Sequence, residues 1–291
     1  MIKSISLSPI IAGTMNWGVW GKNYSSNQMA AIIECCLQNG ITSFDHADIY
    51  GDYSTEAAFG VAFKETNIKR EEVQFISKCG IQLLGGVRKN IIKHYDYSKN
   101  YIIKSVENSL QNLQTDYLDV LLLHRPSPLM KVDEIAAAIN DLKQDGKIIS
   151  FGVSNFTPSQ TALISSQIMV DFNQIEFSLT HVEAMQNGSL DYMQTNNITP
   201  MCWAPLGNFF KNESEQNRRI KIVVDELSVK YDVPAQIILL AWIIKHPANI
   251  LPVFGTADVT RISQLMKATT IQLELKEWFA LWQASMGKEV D

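Results

Sequence analysis

GTMNWGVWG, residues 13–21, follows the first apolar run of the chain, PIIAGT (9–14). Its reading decides the fold. A glycine-rich turn after a first strand raises the Rossmann arrangement, whose G-x-G-x-x-G lets the backbone turn tightly and approach a pyrophosphate. Here the glycines stand at 13, 18 and 21, and that spacing is absent. The open doubly wound sheet loses its signature, and the rest of the chain has to say what replaces it.

Seven further short apolar runs follow: ITSFD (41–45), VQFISK (73–78), LDVLLLH (118–124), SFGVS (150–154), VDFNQIE (170–176), TPMCWA (199–204) and ILPVFG (250–255). Helical-period segments separate them at 28–39, 55–64, 99–113, 132–145, 157–165, 188–196, 217–231 and 234–246. Two more helices are predicted near 258–267 and 275–285. Boundaries carry their own chemistry: Asn39-Gly40 suits a left-handed helix end, and Thr157-Pro158 sets a capping hydroxyl before a proline at the first helical position. Eight β-α units without a Pro/Gly/Ser-rich linker predict one domain over 1–291, a (β/α)8 TIM barrel.

Composition narrows the function. Of the 291 residues 46% are apolar and 19% charged, with a net charge of −5 and no basic run. Nucleic acid, which needs a cationic face to release phosphate counterions, is not expected as a partner. The longest apolar run, IILLAWII (237–244), is well short of the roughly 20 residues of a membrane helix. Ser6, Ser8 and Pro9 interrupt any secretory apolar stretch. Cys35, Cys36, Cys79 and Cys202 lack C-x-x-C spacing and read as reduced thiols, not metal ligands. These readings predict a cytoplasmic protein, without a membrane segment, monomeric by default.

In a barrel of this kind chemistry gathers at the C-terminal ends of the strands. Asp45 ends the second predicted strand, and Tyr50 follows within FDHADIYG (44–51). Lys78 ends the third in ISKCG, and His124 ends the fourth in VLLLHRP, where Arg125-Pro126 turn the chain away. Singly each has a structural explanation: a cap, a half-buried aromatic, a rim lysine, a core histidine. Together they fit one task. A carbonyl accepting a hydride needs a proton at its oxygen, which a phenol supplies. An ammonium beside the phenol stabilises the phenolate, and a carboxylate keeps the ammonium charged. Tyr50, Lys78 and Asp45 form that chain, with His124 to aim the carbonyl.

FDHADIYG, STEAAFG, ISKCG, LDVLLLHRPSPLM and FGVSNFTPSQ resemble the aldo-keto reductases, especially the YdhF-type bacterial branch, over essentially the whole chain. The resemblance implies a (β/α)8 barrel that reduces small-molecule carbonyls with NADPH. It implies Asp45, Tyr50, Lys78 and His124 as the catalytic tetrad, with Tyr50 the general acid, and leaves His46 and Asp48 as loop hydrogen-bonding residues. For the cofactor it implies Ser154, Asn155 and Gln174 on the nicotinamide carboxamide and Trp203 on the ring face. Leu206 and Gly207 would lie near the pyrophosphate, with Gly13 and Thr14 beneath the nicotinamide and Met15 by the ribose. At the last strand Gly255, Thr256 and Arg261 would form the NADPH-selecting loop, with Thr256 and the helix start at a phosphate and Arg261 over the adenine and toward the 2′-phosphate. Gly255, where many relatives carry lysine, Gln264-Leu265, where a Glu-Asn pair is frequent, and Ala204, where serine is common, depart from the pattern.

Some readings stay open. Trp17, Trp20 and Tyr24 suit an apolar substrate wall and plain packing equally. His94 and Tyr95 stand in a long segment that reaches the mouth or does not. A metal-dependent hydrolase would require Asp45, His46 and His124 on one ion, without any H-x-H or H-x-x-x-H pair in the sequence. A barrel that binds NADPH and signals redox state to a partner is the non-enzymatic alternative. The 30 residues after Arg261 predict an open pocket.

Overall fold

The computed structural model describes residues 5–290. The outermost positions of the 1–291 domain, and the start of the segment examined for a leader, lie outside the described residues. Eight strands close into a parallel barrel: β1 (Ile11–Gly13), β2 (Ser43–Asp45), β3 (Gln74–Cys79), β4 (Leu118–Leu123), β5 (Ile148–Ser154), β6 (Phe172–Glu176), β7 (Thr199–Trp203) and β8 (Leu251–Phe254). Each pairs with its sequence neighbours, and β8 returns to β1. The sequence places every one of these strands, to within a few residues at the ends.

Strands buried on both faces read as continuous apolar runs. LDVLLL is buried at all six positions. Alternation then divides each strand between two cores. Ile11, Ile76, Val120, Leu122, Phe172, Met201 and Val253 fill the barrel interior. Their neighbours Phe44, Phe75, Leu121, Leu123, Phe151 and Val153 face outward into the larger core beneath the helices.

That parity builds the site. Counting up by two from each interior residue reaches Gly13 from Ile11, Lys78 from Ile76, His124 from Leu122, Gln174 from Phe172 and Trp203 from Met201. Asp45 shares the inward parity of its strand, since Phe44 faces out. Register keeps these ends level: Gly13 lies opposite Asp45, Lys78 opposite Leu122, and Ser154 opposite Gln174. Glycine at 152 is required for this closure, because a Cβ there would meet Phe172 O at 2.5 Å and Leu122 Cδ2 at 2.7 Å.

The outer ring comprises α1 (Ser26–Gln38), α2 (Thr55–Glu65), α3 (Lys99–Leu113), α4 (Val132–Gln144), α5 (Pro158–Ser165), α6 (Ser189–Thr195), α7 (Glu215–Tyr231), α8 (Ala235–Ile244), α9 (Val259–Leu265) and α10 (Leu275–Met286). Capping boxes start α1 at Ser25/Gln28 and α5 at Thr157/Gln160. In α3 the buried Ile102, Val106, Leu110 and Leu113 repeat at helical spacing and form the inward stripe. AQIILLAWII, apolar all round, is buried on every side except its ends, between barrel and α10. Trp242 and Trp278 stack with centroids 5.1 Å apart and each indole N–H donates to the other's carbonyl, at 3.1 and 3.0 Å. Those paired bonds fix the C-terminal helix to the barrel wall. Two features are absent from the sequence reading: a tight turn at Tyr50–Tyr53, where Gly51, Asp52 and Tyr53 all have positive φ, and an antiparallel hairpin pairing Ile81–Gln82 with His94–Tyr95. Among the described residues no single helix is long and apolar enough to cross a membrane.

Candidate active site

The four expected residues meet at the rim, and three of them are joined by direct bonds. Lys78 Nζ donates to Asp45 Oδ1 and Oδ2 at 2.8 and 2.7 Å, to the His46 carbonyl at 2.7 Å, and to Tyr50 Oη at 3.1 Å. An ammonium has three protons, and here they have three destinations. Gln174 Nε2 adds a donor to Asp45 Oδ1 at 2.9 Å. His124 completes the set, its ring centroid 6.1 Å from that of Tyr50 at an interplanar angle of 79°. Its Nδ1 is buried without a hydrogen-bond partner.

The electrostatics follow from burial. Lys78 and Asp45 are 1% and 3% exposed. Burial alone would pull the lysine down, but the charge and hydrogen bonds of Asp45 and Tyr50 outweigh it and hold Lys78 above its ordinary value. Burial pushes the Tyr50 phenol up, and the Lys78 charge pulls it back part of the way. His124 is held well below an ordinary histidine by burial and then by the Lys78 and Arg125 charges, so it is neutral. The result is a protonated phenol against a permanent cation, beside a neutral imidazole.

His46 and Asp48 lie behind this rim. His46 is fully buried, packed edge-on against Phe59 and Phe75, with Nδ1 2.9 Å from Thr14 Oγ1. Burial lowers its pKa to about 3. Asp48 accepts from Ser105 Oγ and Tyr101 Oη at 2.9 and 3.2 Å. Asp45, His46 and His124 therefore do not converge as ion ligands: Lys78 and Gln174 hold Asp45, and Thr14 holds His46.

The cofactor positions divide into open and enclosed. Trp203, Asn155, Leu206, Gly207 and Thr256 are partly exposed at the rim, and Met15, Gly255 and Arg261 are exposed. Trp203 Nε1 donates to Asn155 Oδ1 at 2.9 Å, and Asn155 Nδ2 donates to Ser154 Oγ at 2.8 Å, so the indole edge is tied to the end of β5. Gly207 has φ +52°, and a Cβ there would strike Thr180 Oγ1 at 1.9 Å. A flat aromatic face, amide donors and acceptors and a side-chain-free backbone fit the nicotinamide and pyrophosphate portions of a dinucleotide.

Four of the expected cofactor positions are already engaged within the protein. Thr14 has no exposed surface; its hydroxyl donates to Asp45 O at 3.0 Å and meets His46, so it braces the tetrad from behind. Ser154 is 1% exposed, and its hydroxyl donates to Gln174 O at 3.0 Å. Gln174 directs its amide to Asp45, which makes it a tetrad neighbour before anything else. The start of α9 offers no vacant anion site either, because Asp258 caps it, accepting from Thr260 N at 2.9 Å and Arg261 N at 3.2 Å.

The open readings also resolve. Trp17 is core, fully buried against Phe44 and Phe59. Tyr24 is partly buried against the same core. Trp20 alone faces the site, 44% exposed with its ring 6.3 Å from that of Tyr50. His94 and Tyr95 are exposed on the hairpin after β3. Arg125, read from sequence only as part of a turn, was missed. Its guanidinium lies 5.8 Å from the Trp203 ring centroid and lines a cavity of about 300 Å³ with Asn155, Glu176, His181 and Glu183. Its place directly after His124, just beyond the end of β4, was the available signal.

Residues 9–285 match the sequence pattern of the aldo/keto reductase family. The chain is similar to the oxidoreductase YdhF of Escherichia coli (strain K12), 39% identical over 280 residues that cover 94% of this chain and 93% of that protein. It is similar also to the 6-dehydroglucose reductase of Agrobacterium fabrum, 36% identical over 289 residues, covering 98% and 97%. Its backbone resembles the glycerol dehydrogenase of Gluconobacter oxydans, with a TM-score of 0.86 at 21% identity over 100% of this chain and 97% of that one. That last likeness concerns the fold alone.

Proposed function

The chain belongs to the aldo/keto reductase family, and from that premise we propose that it reduces aldehyde or ketone carbonyls with NADPH, Tyr50 serving as general acid. The observation that carries this reading is the buried ammonium of Lys78, bonded at once to both oxygens of Asp45 and to the phenolic oxygen of Tyr50. A lysine 1% exposed is stable only with such partners, and this one spends its third proton on a phenol.

The dinucleotide, when bound, supplies the hydride. Trp203, Asn155, Leu206, Gly207 and Met15 are the residues that would hold its nicotinamide half, and Thr256 and Arg261 its adenosine half. Tyr50 gives its proton to the carbonyl oxygen as charge develops there. Lys78 stabilises the phenolate that remains, and Asp45 keeps Lys78 charged in the dry rim. Neutral His124, its ring free of hydrogen bonds within the protein, orients the same oxygen.

The substrate is a small carbonyl compound admitted through the open mouth beside Trp20. Since one relative is a 6-dehydroglucose reductase, a sugar-derived carbonyl belongs in the first assays. The four cysteines are free thiols, which supports a cytoplasmic setting, and a monomer suffices for the site. The complete Tyr50–Lys78–Asp45 chain favours turnover over a purely redox-sensing barrel.

Tyr50→Phe tests the reading. Turnover should fall by about 10²–10⁴-fold, the usual contribution of a positioned acid. Quenching of tryptophan fluorescence by NADPH should persist. A variant that keeps near-wild-type turnover would remove Tyr50 from its role.

A further inference from the structure

We infer that Asp258 sets the cofactor choice of this chain and admits NADH alongside NADPH. The inference rests on the reading just given, which puts the adenosine half of the dinucleotide against residues 255–261.

The first N–H groups of α9 and the Arg261 side chain already face the Asp258 carboxylate. It accepts from the backbone N–H of Thr260 at 2.9 Å and of Arg261 at 3.2 Å. Its Oδ2 stands 4.0 Å from Arg261 Nε. Its own backbone N–H donates to Thr256 Oγ1 at 3.2 Å. A carboxylate on the first N–H groups of a helix takes the place that an external anion would otherwise occupy. Arg261 is the one cation in residues 255–261, with the Asp258 carboxylate 4.0 Å from its Nε, and Gly255 contributes none.

A doubly charged phosphate entering this loop must lie beside a fixed negative charge, and like charges at such range repel. A ribose with both hydroxyls free meets no such penalty, because a carboxylate accepts from a hydroxyl. The general distinction is that an acidic side chain suits the 2′-hydroxyl of NADH while arginine accommodates the 2′-phosphate of NADPH. This loop holds one of each. Both are exposed, 68% for the Arg261 side chain and 52% for Asp258, so Arg261 is free to turn toward a phosphate while Asp258 remains on the helix. Neither form is excluded, and solvent keeps the discrimination small.

The test is equilibrium binding, read by tryptophan quenching with NADPH and with NADH, in the wild type, Asp258→Asn and Arg261→Ala. Asparagine caps a helix as well as aspartate does, so α9 should stay formed. The wild type should bind NADH within about tenfold of NADPH, a gap appropriate to one exposed charge contact. Asp258→Asn should tighten NADPH and widen that gap by about two- to fivefold, and Arg261→Ala should weaken NADPH selectively. Wild-type rejection of NADH by about 100-fold or more would overturn the inference, as would an unchanged ratio in Asp258→Asn. In either case the reductase reading stands. Binding of neither dinucleotide by the wild type would overturn both.

Discussion

Lys78 donates to Tyr50 Oη at 3.1 Å from a position that leaves the lysine 1% exposed. The pair is therefore shielded from the water that would weaken it, and the phenol responds to one dominant neighbouring charge. Because Asp45 supplies the compensating carboxylate, the fold and the proposed proton transfer draw on the same ammonium and can be separated by substitution.

Lys78→Met should cost turnover at least about 10²-fold, since the phenolate loses its counter-charge. It should also cost about 3–5 kcal/mol of stability, because Asp45 is stranded as a buried unpaired charge. Adding Asp45→Asn should return most of the stability and none of the activity. Urea midpoints and initial rates on the two variants check both halves. Recovery of activity in the double variant would show that Lys78 acts structurally.

Arg125 should tune the acid from outside. Its charge pulls Tyr50 down and His124 further down. Its backbone is clamped by Tyr97, whose hydroxyl donates to the Arg125 carbonyl and accepts from its N–H at 3.0 Å. Reduction requires the protonated phenol, so activity falls as pH rises through the Tyr50 pKa. Removing a cation raises that pKa, and Arg125→Gln should move the alkaline limb of the pH profile upward, while Arg125→Lys should leave it near the wild-type position. A profile that does not move in Arg125→Gln would rule out the electrostatic role.

Trp17 and Trp20 stand three residues apart in one loop and should behave oppositely. Trp17→Ala should cost about 3–5 kcal/mol, the price of a large core cavity. Trp20→Ala should change stability by less than about 1 kcal/mol but raise KM for carbonyl substrates. Thermal unfolding and steady-state kinetics on the pair decide it; equal losses of stability would place both in the core.

The contrast shows where the sequence was legible. Strand ends were readable because inward parity is a local property: Ile76 and Lys78 share a face whatever the helices do. Asp45, Lys78 and His124 inherit their placement from that rule, whereas Tyr50 is brought to them by the turn after β2. The loops follow no such rule. Thr14 and Trp17 are enclosed because the segment after β1 folds onto Phe59 and His46, contacts across more than 30 residues that no periodicity encodes. Arg125 would face away from His124 by simple alternation, and only the turn beyond β4 re-aims it. Asp258 opens the segment predicted as a helix near 258–267, and helical spacing alone does not distinguish a first helical residue from the cap that it is.

Asp48 gives the pH dependence of stability a definite sign. Burial and the nearby Glu56 charge push its carboxyl up to about 7, against the pull of its bonds from Ser105 and Tyr101. Its Oδ1 has no partner. The folded state thus holds this proton more tightly than the unfolded chain does. Its contribution to stability is full at acid pH and is lost as pH rises through about 7. Asp48→Asn removes the titration while keeping an acceptor for Ser105 and Tyr101. The variant should therefore gain on the wild type by about 2–3 kcal/mol between pH 5 and pH 8. His46, held neutral by burial, destabilises the fold in the opposite direction as pH falls, but it is common to both proteins and cancels in the difference. Urea midpoints at the two pH values measure the gain, and a difference that does not change with pH would mean that Asp48 titrates as an ordinary carboxyl.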